Sequence, residues 1–231
     1  MLRICLSVRR FAANGCRFVG NGNKLSVKKV IFIPKKKETM DKTIPFSPYV
    51  VLVDASYINK VGENVASYFS KQMNRVFPKA DLALLLEYMA MDAGIQPGDN
   101  KIQVIFIYDG KNPGMDFCLP SCLSEEIHGK AFNGPMGEFS LYAFQPSGLA
   151  TKGDLFMEAL QLADASKDVG RVLLVPDEET YGTRVSEAVK GMEADKVVVM
   201  GMNPRRETFG FRFEVIGFPL LKAYGITPDE V

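Results

Sequence analysis

The chain is predicted to adopt an α/β fold, a three-layer α/β/α sandwich around a central, mostly parallel sheet. Three observations carry that prediction. Short β-branched and apolar runs (VVLVD, KIQVIFIYD, RVLLVPD, KVVVMGM) recur along the sequence, without the polar alternation of a sheet that faces water. Segments with helical spacing separate them, and this alternation is the signature of parallel strands joined by crossover helices. Four acidic groups stand where strand-like runs end or helices begin: Asp54, Asp109, Asp154 and the Asp177/Glu178/Glu179 cluster.

The elements follow in order. YVVLVDAS is the first strand of the body. Helical stretches are expected around 63–75 and 79–93, the second with Leu82, Leu85, Leu86 and Met89 on one face. DAGIQPGD ends that helix with Gly and Pro. KIQVIFIYD is the next strand, and the Gly- and Pro-rich stretch 110–137 reads as a long excursion above the sheet. EFSLYAFQ is a strand, DLFMEALQLADASK a helix, RVLLVPD a strand, ETYGTRVSEAVKGME a helix and KVVVMGM a strand. A short strand and a closing helix complete the tail.

Composition bounds the function. At 231 residues, 47% hydrophobic and 24% charged, the chain has material for one sizeable core. No apolar run approaches the roughly 18 residues of a membrane span. Four scattered cysteines, Cys5, Cys16, Cys118 and Cys122, make neither a disulfide framework nor paired zinc motifs, which points to a reducing, cytoplasmic setting. The net charge of +1 hides an asymmetry: residues 1–37 hold ten Lys or Arg and no acid, leaving 18 basic against 27 acidic residues, a net of −9, in the rest. Residues 1–45 therefore read as a basic leader without fixed structure and 46–231 as the folded domain. The leader has three readings: a targeting segment, a basic arm, or an over-extended start before Met40.

In a parallel sheet the carboxyl ends of the strands face one crevice, so carboxylates placed there converge from distant stretches of sequence. Mg²⁺ and Mn²⁺ take such oxygens, and a cation relieves the repulsion of crowded carboxylates. The plainer reading is that an Asp at a strand-to-helix junction caps the helix, and Asp154 and Asp177 suit that role. Arg205, Arg206 and Arg212 form a basic patch near the C-terminus, and the lone His128 falls in the long loop. A dinucleotide fold would need G-x-G-x-x-G after the first strand, where the chain has DASYIN; a P-loop is absent; a dehalogenase-type phosphatase would need Asp where Ser56 stands.

VVLVDASYIN at 50–59, TKGDLFMEALQLA at 151–163 and RVLLVPDEETYGTRVSEAV at 171–189 resemble the NYN group of PIN-like nucleases. The resemblance implies a PIN-like fold and metal-dependent hydrolysis of phosphodiester bonds, in RNA. It places Asp54, Asp154, Asp177 and Glu179 as catalytic, metal-holding groups for Mg²⁺ or Mn²⁺. Asn59, Asp109, Lys152, Glu158 and Glu178 stand as supporting or substrate-facing residues. Nucleic acid is the partner implied, with a second copy of the chain as a further one and no membrane. The chain departs from the family pattern at Ala55, Tyr57, Pro176 and Glu179. These departures leave open an alternative, a catalytically degenerate PIN-like domain acting as a binding or protein-interaction module.

Overall fold

The computed structural model describes residues 33–34, 45–203 and 211–230. In chain order its elements are β1 (Ile33–Pro34), β2 (Tyr49–Asp54), α1 (Ala55–Met73), β3 (Ala80–Asp81), α2 (Leu82–Asp92), β4 (Lys101–Ile107), β5 (Cys118–Leu119), a π-helical turn at Leu123–Ile127, β6 (Lys130–Gly134) and β7 (Gly137–Phe144). These are followed by α3 (Lys152–Ala165), β8 (Arg171–Val175), α4 (Gly182–Val189), β9 (Val197–Gly201), β10 (Arg212–Val215), α5 (Gly217–Ala223) and a 3₁₀ turn at Pro228–Glu230.

The main sheet runs in the order β1-β6-β7-β4-β2-β8-β9-β10. From β7 to β10 every neighbouring pair is parallel, whereas β6 joins β7, and β1 joins β6, in antiparallel fashion. β3 and β5 form a separate parallel pair. Successive side chains of a strand point to opposite faces, and β2 shows the consequence. Val51 and Val53 enter the core shared with α1, α2 and α5; Val50 and Leu52 enter the core shared with α3 and α4. The sheet is thus flanked by helices on both faces, as the run-and-period pattern predicts.

Two local expectations are corrected. The first helix does not wait until residue 63: Asp54 ends its strand and at once caps α1, its Oδ1 accepting from the Tyr57 amide at 2.9 Å. The stretch 110–137 is not all excursion, because Lys130–Gly134 pairs with β7 in register Phe132↔Phe139 and the two rings stack. Ile33 and Pro34, inside the expected leader, pair with Ala131 and Lys130. Residues 1–32 and 35–44 of the leader, and Arg205 and Arg206 of the basic patch, lie outside the described residues.

The connections place the functional crevice. From β2 the chain moves to β4 and β7 on one side, then returns past β2 to β8, β9 and β10 on the other. The direction therefore reverses between β2 and β8, and in open parallel sheets ligands bind outside the strand ends at such a switch point.

Candidate functional site

Asp54 ends β2 and Asp177 follows β8, so the switch point is flanked by two of the predicted acids. Asp54 is fully buried, yet each of its oxygens has partners. Oδ1 accepts from the Tyr57 amide and from the Lys152 ammonium at 3.1 Å, and Oδ2 accepts from the Tyr181 hydroxyl at 2.7 Å. A buried carboxylate is tolerated only when paired and hydrogen-bonded, and this one is both. Lys152 arrives from the first turn of α3, where Thr151 caps the helix. Gly153 beside it leaves room for the Tyr181 ring: a Cβ there would stand 3.0 Å from Tyr181 Cδ1.

A second carboxylate–phenol pair lies alongside. Tyr57, buried on α1, donates its hydroxyl to Glu178 Oε2, which also accepts from the Met202 amide at 3.0 Å. Glu178 fits against the end of β9 because residue 201 is glycine; a Cβ there would fall 2.4 Å from Glu178 Oε1. Burial, then the Glu178 hydrogen bond and charge, push the Tyr57 phenol above its ordinary value, with Asp177 adding to the rise. Burial, then the Asp54 charge and hydrogen bond, raise Tyr181 likewise, and Asp177 contributes there too. Both phenols therefore stay protonated and act as donors.

The other predicted residues have separate partners. Asp154 closes a capping box with Thr151 and pairs with Arg184 at 3.1 Å; the Thr151 hydrogen bonds, then Arg184, hold its carboxyl below the ordinary range. Asp177 folds its own turn, Oδ1 accepting from the amides of Glu179 and Thr180 and Oδ2 from the Thr180 hydroxyl at 2.8 Å. Glu179 is exposed and pairs with Lys60 at 2.6 Å. Asn59 bridges Glu63 and the Phe117 amide, Asp109 accepts from the Lys111 amide in an exposed turn, and Glu158 is exposed on α3.

The structure therefore brings Asp54, Lys152, Tyr181, Tyr57, Glu178 and Asp177 around the switch point and directs Asp154 and Glu179 to cations of their own. Tyr181 was not among the residues singled out from the sequence. Its place six residues after the end of β8, next to Gly182, carries no motif that would mark it. A divalent ion does not fit this arrangement. Its place on Asp54 is taken by an ammonium, a phenol and an amide, and among the described residues no group of three or more His, Cys, Asp or Glu side chains gathers to hold a metal. No described helix is long and apolar enough to cross a membrane.

Fold and site together define an α/β protein with a polar network closing the switch point of its parallel sheet. The chain belongs to DUF6621, a family of unknown function whose model matches residues 43–231. No curated protein and no solved structure matches it.

Proposed function

We propose that the chain is a catalytically degenerate PIN-like domain that acts as a binding module. The observation that carries this reading is the Lys152 ammonium 3.1 Å from Oδ1 of the fully buried Asp54. In a metal-dependent hydrolase that oxygen would be left for a cation; here the chain supplies its own, and Tyr181 takes the other oxygen. Pulling Lys152 away to admit an ion would leave the fully buried Asp54 carboxylate without its cation, a cost that a weakly held divalent ion does not offset. The crevice keeps its shape and loses its need for metal.

The test is a thermal melt of the full chain with and without millimolar Mn²⁺. A ligand that binds only the native state raises the midpoint by mass action, so this reading expects an unchanged midpoint. A rise that Asp54→Asn abolishes would refute it.

A second reading, metal-dependent hydrolysis of RNA, has one observation in its favour. Asp54, Asp177 and Glu178 all come from the strand ends at the switch point, and the charge of Asp177 adds to the rise in pKa of both Tyr57 and Tyr181. Cleavage of RNA that requires Mn²⁺ and is lost in Asp54→Asn would establish it over the first.

A further inference from the structure

A cavity of about 450 Å³ opens beside the switch point, between α1 and the chain that leaves β9. One face of α1 walls it. Tyr57, Val61, Val65 and Tyr68 recur there at helical spacing, with Phe69 next to them, and Met202 lines it from beyond the end of β9. Small-molecule sites occupy roughly 300–1,000 Å³ and are largely apolar, with a few polar groups that fix orientation. This cavity has that size and that lining. Its rings run from buried to open, since Tyr57 is inaccessible and Tyr68 is 58% exposed. Tyr68 and Phe69 meet edge-on, with centroids 5.1 Å apart and planes at 84°, so one of the two keeps both faces clear of the other. The face of such a ring attracts a cation.

Charge selects the same kind of ligand. Among the described residues, the charged groups that line the cavity are Lys60 and Glu179, paired with each other at 2.6 Å and both exposed. Two more carboxylates stand close by: Glu178 accepts from the Tyr57 hydroxyl, and the charge of Asp177 reaches both Tyr57 and Lys60. Asp54 and Lys152 neutralise each other, which leaves Asp177, Glu178 and Glu179 facing the single ammonium of Lys60. An anion is repelled from such a place and a cation drawn to it. Lys60 already holds the position on Glu179 that a ligand's ammonium would take. An ion pair so exposed adds little stability, so a second cation can exchange for it at small cost.

We propose that this cavity binds a small organic cation, an ammonium group carried on an aromatic or branched apolar body. The body lies against Val61, Val65 and Met202, where it loses contact with water. The ammonium meets Glu179 and a face of the Tyr68–Phe69 pair, and Lys60 turns outward to admit it. A neutral molecule of the same shape gains only the apolar contact, and an anion meets the surplus of carboxylates. The cavity shares Tyr57 with the switch-point network, so this inference rests on the binding-module reading and names its ligand.

The experiment titrates the isotope-labelled full chain, in EDTA near neutral pH, with phenethylamine, phenethyl alcohol and hydrocinnamate, and reads affinities from amide chemical shifts. The three probes share one ring and differ in carrying a cation, a neutral group or an anion. The parent is expected to bind the amine at least about threefold more tightly than the alcohol, and hydrocinnamate more weakly than either. Glu179→Gln should bring the amine within about twofold of the alcohol, and Tyr68→Ala should weaken the amine by about twofold to fivefold, as for a cation over an exposed ring. Lys60→Met should tighten the amine, because it removes the competitor for Glu179; a residue that only shapes the cavity would give the opposite sign. Melting curves confirm that these variants, all at exposed positions, fold. A smaller preference for the amine in the parent overturns the proposal, as does a preference that survives Glu179→Gln or amine binding that Lys60→Met leaves equal or weaker. If the amine fails while Mn²⁺ leaves the melting midpoint unchanged, this ligand falls and the binding-module reading stands; Mn²⁺-dependent cleavage removes that reading whatever the cavity binds.

Discussion

Asp54 and Lys152 are separated by 98 positions in the chain and meet at 3.1 Å, one fully buried and the other with about a fifth of its side chain exposed. The asymmetry in exposure sets an asymmetry in mutational cost. Lys152→Met leaves a buried carboxylate without its cation and should destabilise by about 3 kcal/mol, the low end for breaking such a pair. Asp54→Asn keeps an acceptor for the Tyr57 amide and frees an ammonium that reaches water, so it should cost about 1 kcal/mol less. The double variant should recover part of the loss, a coupling of about 1–2 kcal/mol in a urea-denaturation cycle. Additive losses would show that the two groups do not act as a pair. Tyr181 belongs to the same network and gives it a pH dependence. Its folded-state pKa is raised above the ordinary value near 10, so its contribution is fully present below about pH 10 and is lost as pH climbs toward the folded value. Unfolding free energies between pH 8 and 11 should fall less steeply in Tyr181→Phe than in the parent. Equal slopes would place the alkaline sensitivity elsewhere.

At the scale of elements, two glycines decide how strand ends and helices close on the site. Gly201→Ala would push Glu178 off the end of β9 and break its contacts with Tyr57 and the Met202 amide. The expected loss is about 2 kcal/mol, two part-buried hydrogen bonds at about 1 kcal/mol each, measured by denaturant melting. An unchanged midpoint would mean that Glu178 relaxes without cost. The strands themselves were readable, because an apolar β-branched run buried on both faces leaves little else for VVLVD or RVLLV to be. β6 was not: KAFNG is short, contains one large apolar residue and is followed by Gly and Pro, and its pairing with β7 depends on tertiary position. The start of α1 was missed for a related reason. Asp54 reads as a strand end or a metal ligand, while its role as the helix N-cap shows only once Tyr57 is seen folding back on it. For the acids, sequence showed which lie near the crevice but not where each side chain turns. Asp154 and Glu179 are drawn off by Arg184 and Lys60, partners on α4 and α1 whose approach is set by packing.

For the whole molecule, the order β4-β2-β8 puts the switch point where ligands enter α/β sheets, and the chain fills it with its own lysine and two phenols. Charge is divided along the sequence, with ten Lys or Arg and no acid in residues 1–37 and a net of −9 in residues 38–231. The most direct measurement incubates the purified full chain with labelled single-stranded RNA in the presence of Mn²⁺ and records complex and products together. The account expects fragments no more abundant than in a protein-free control. Mn²⁺-dependent fragments that vanish in Asp54→Asn would contradict it, by showing that an ion displaces Lys152 and that the crevice is a working catalytic site.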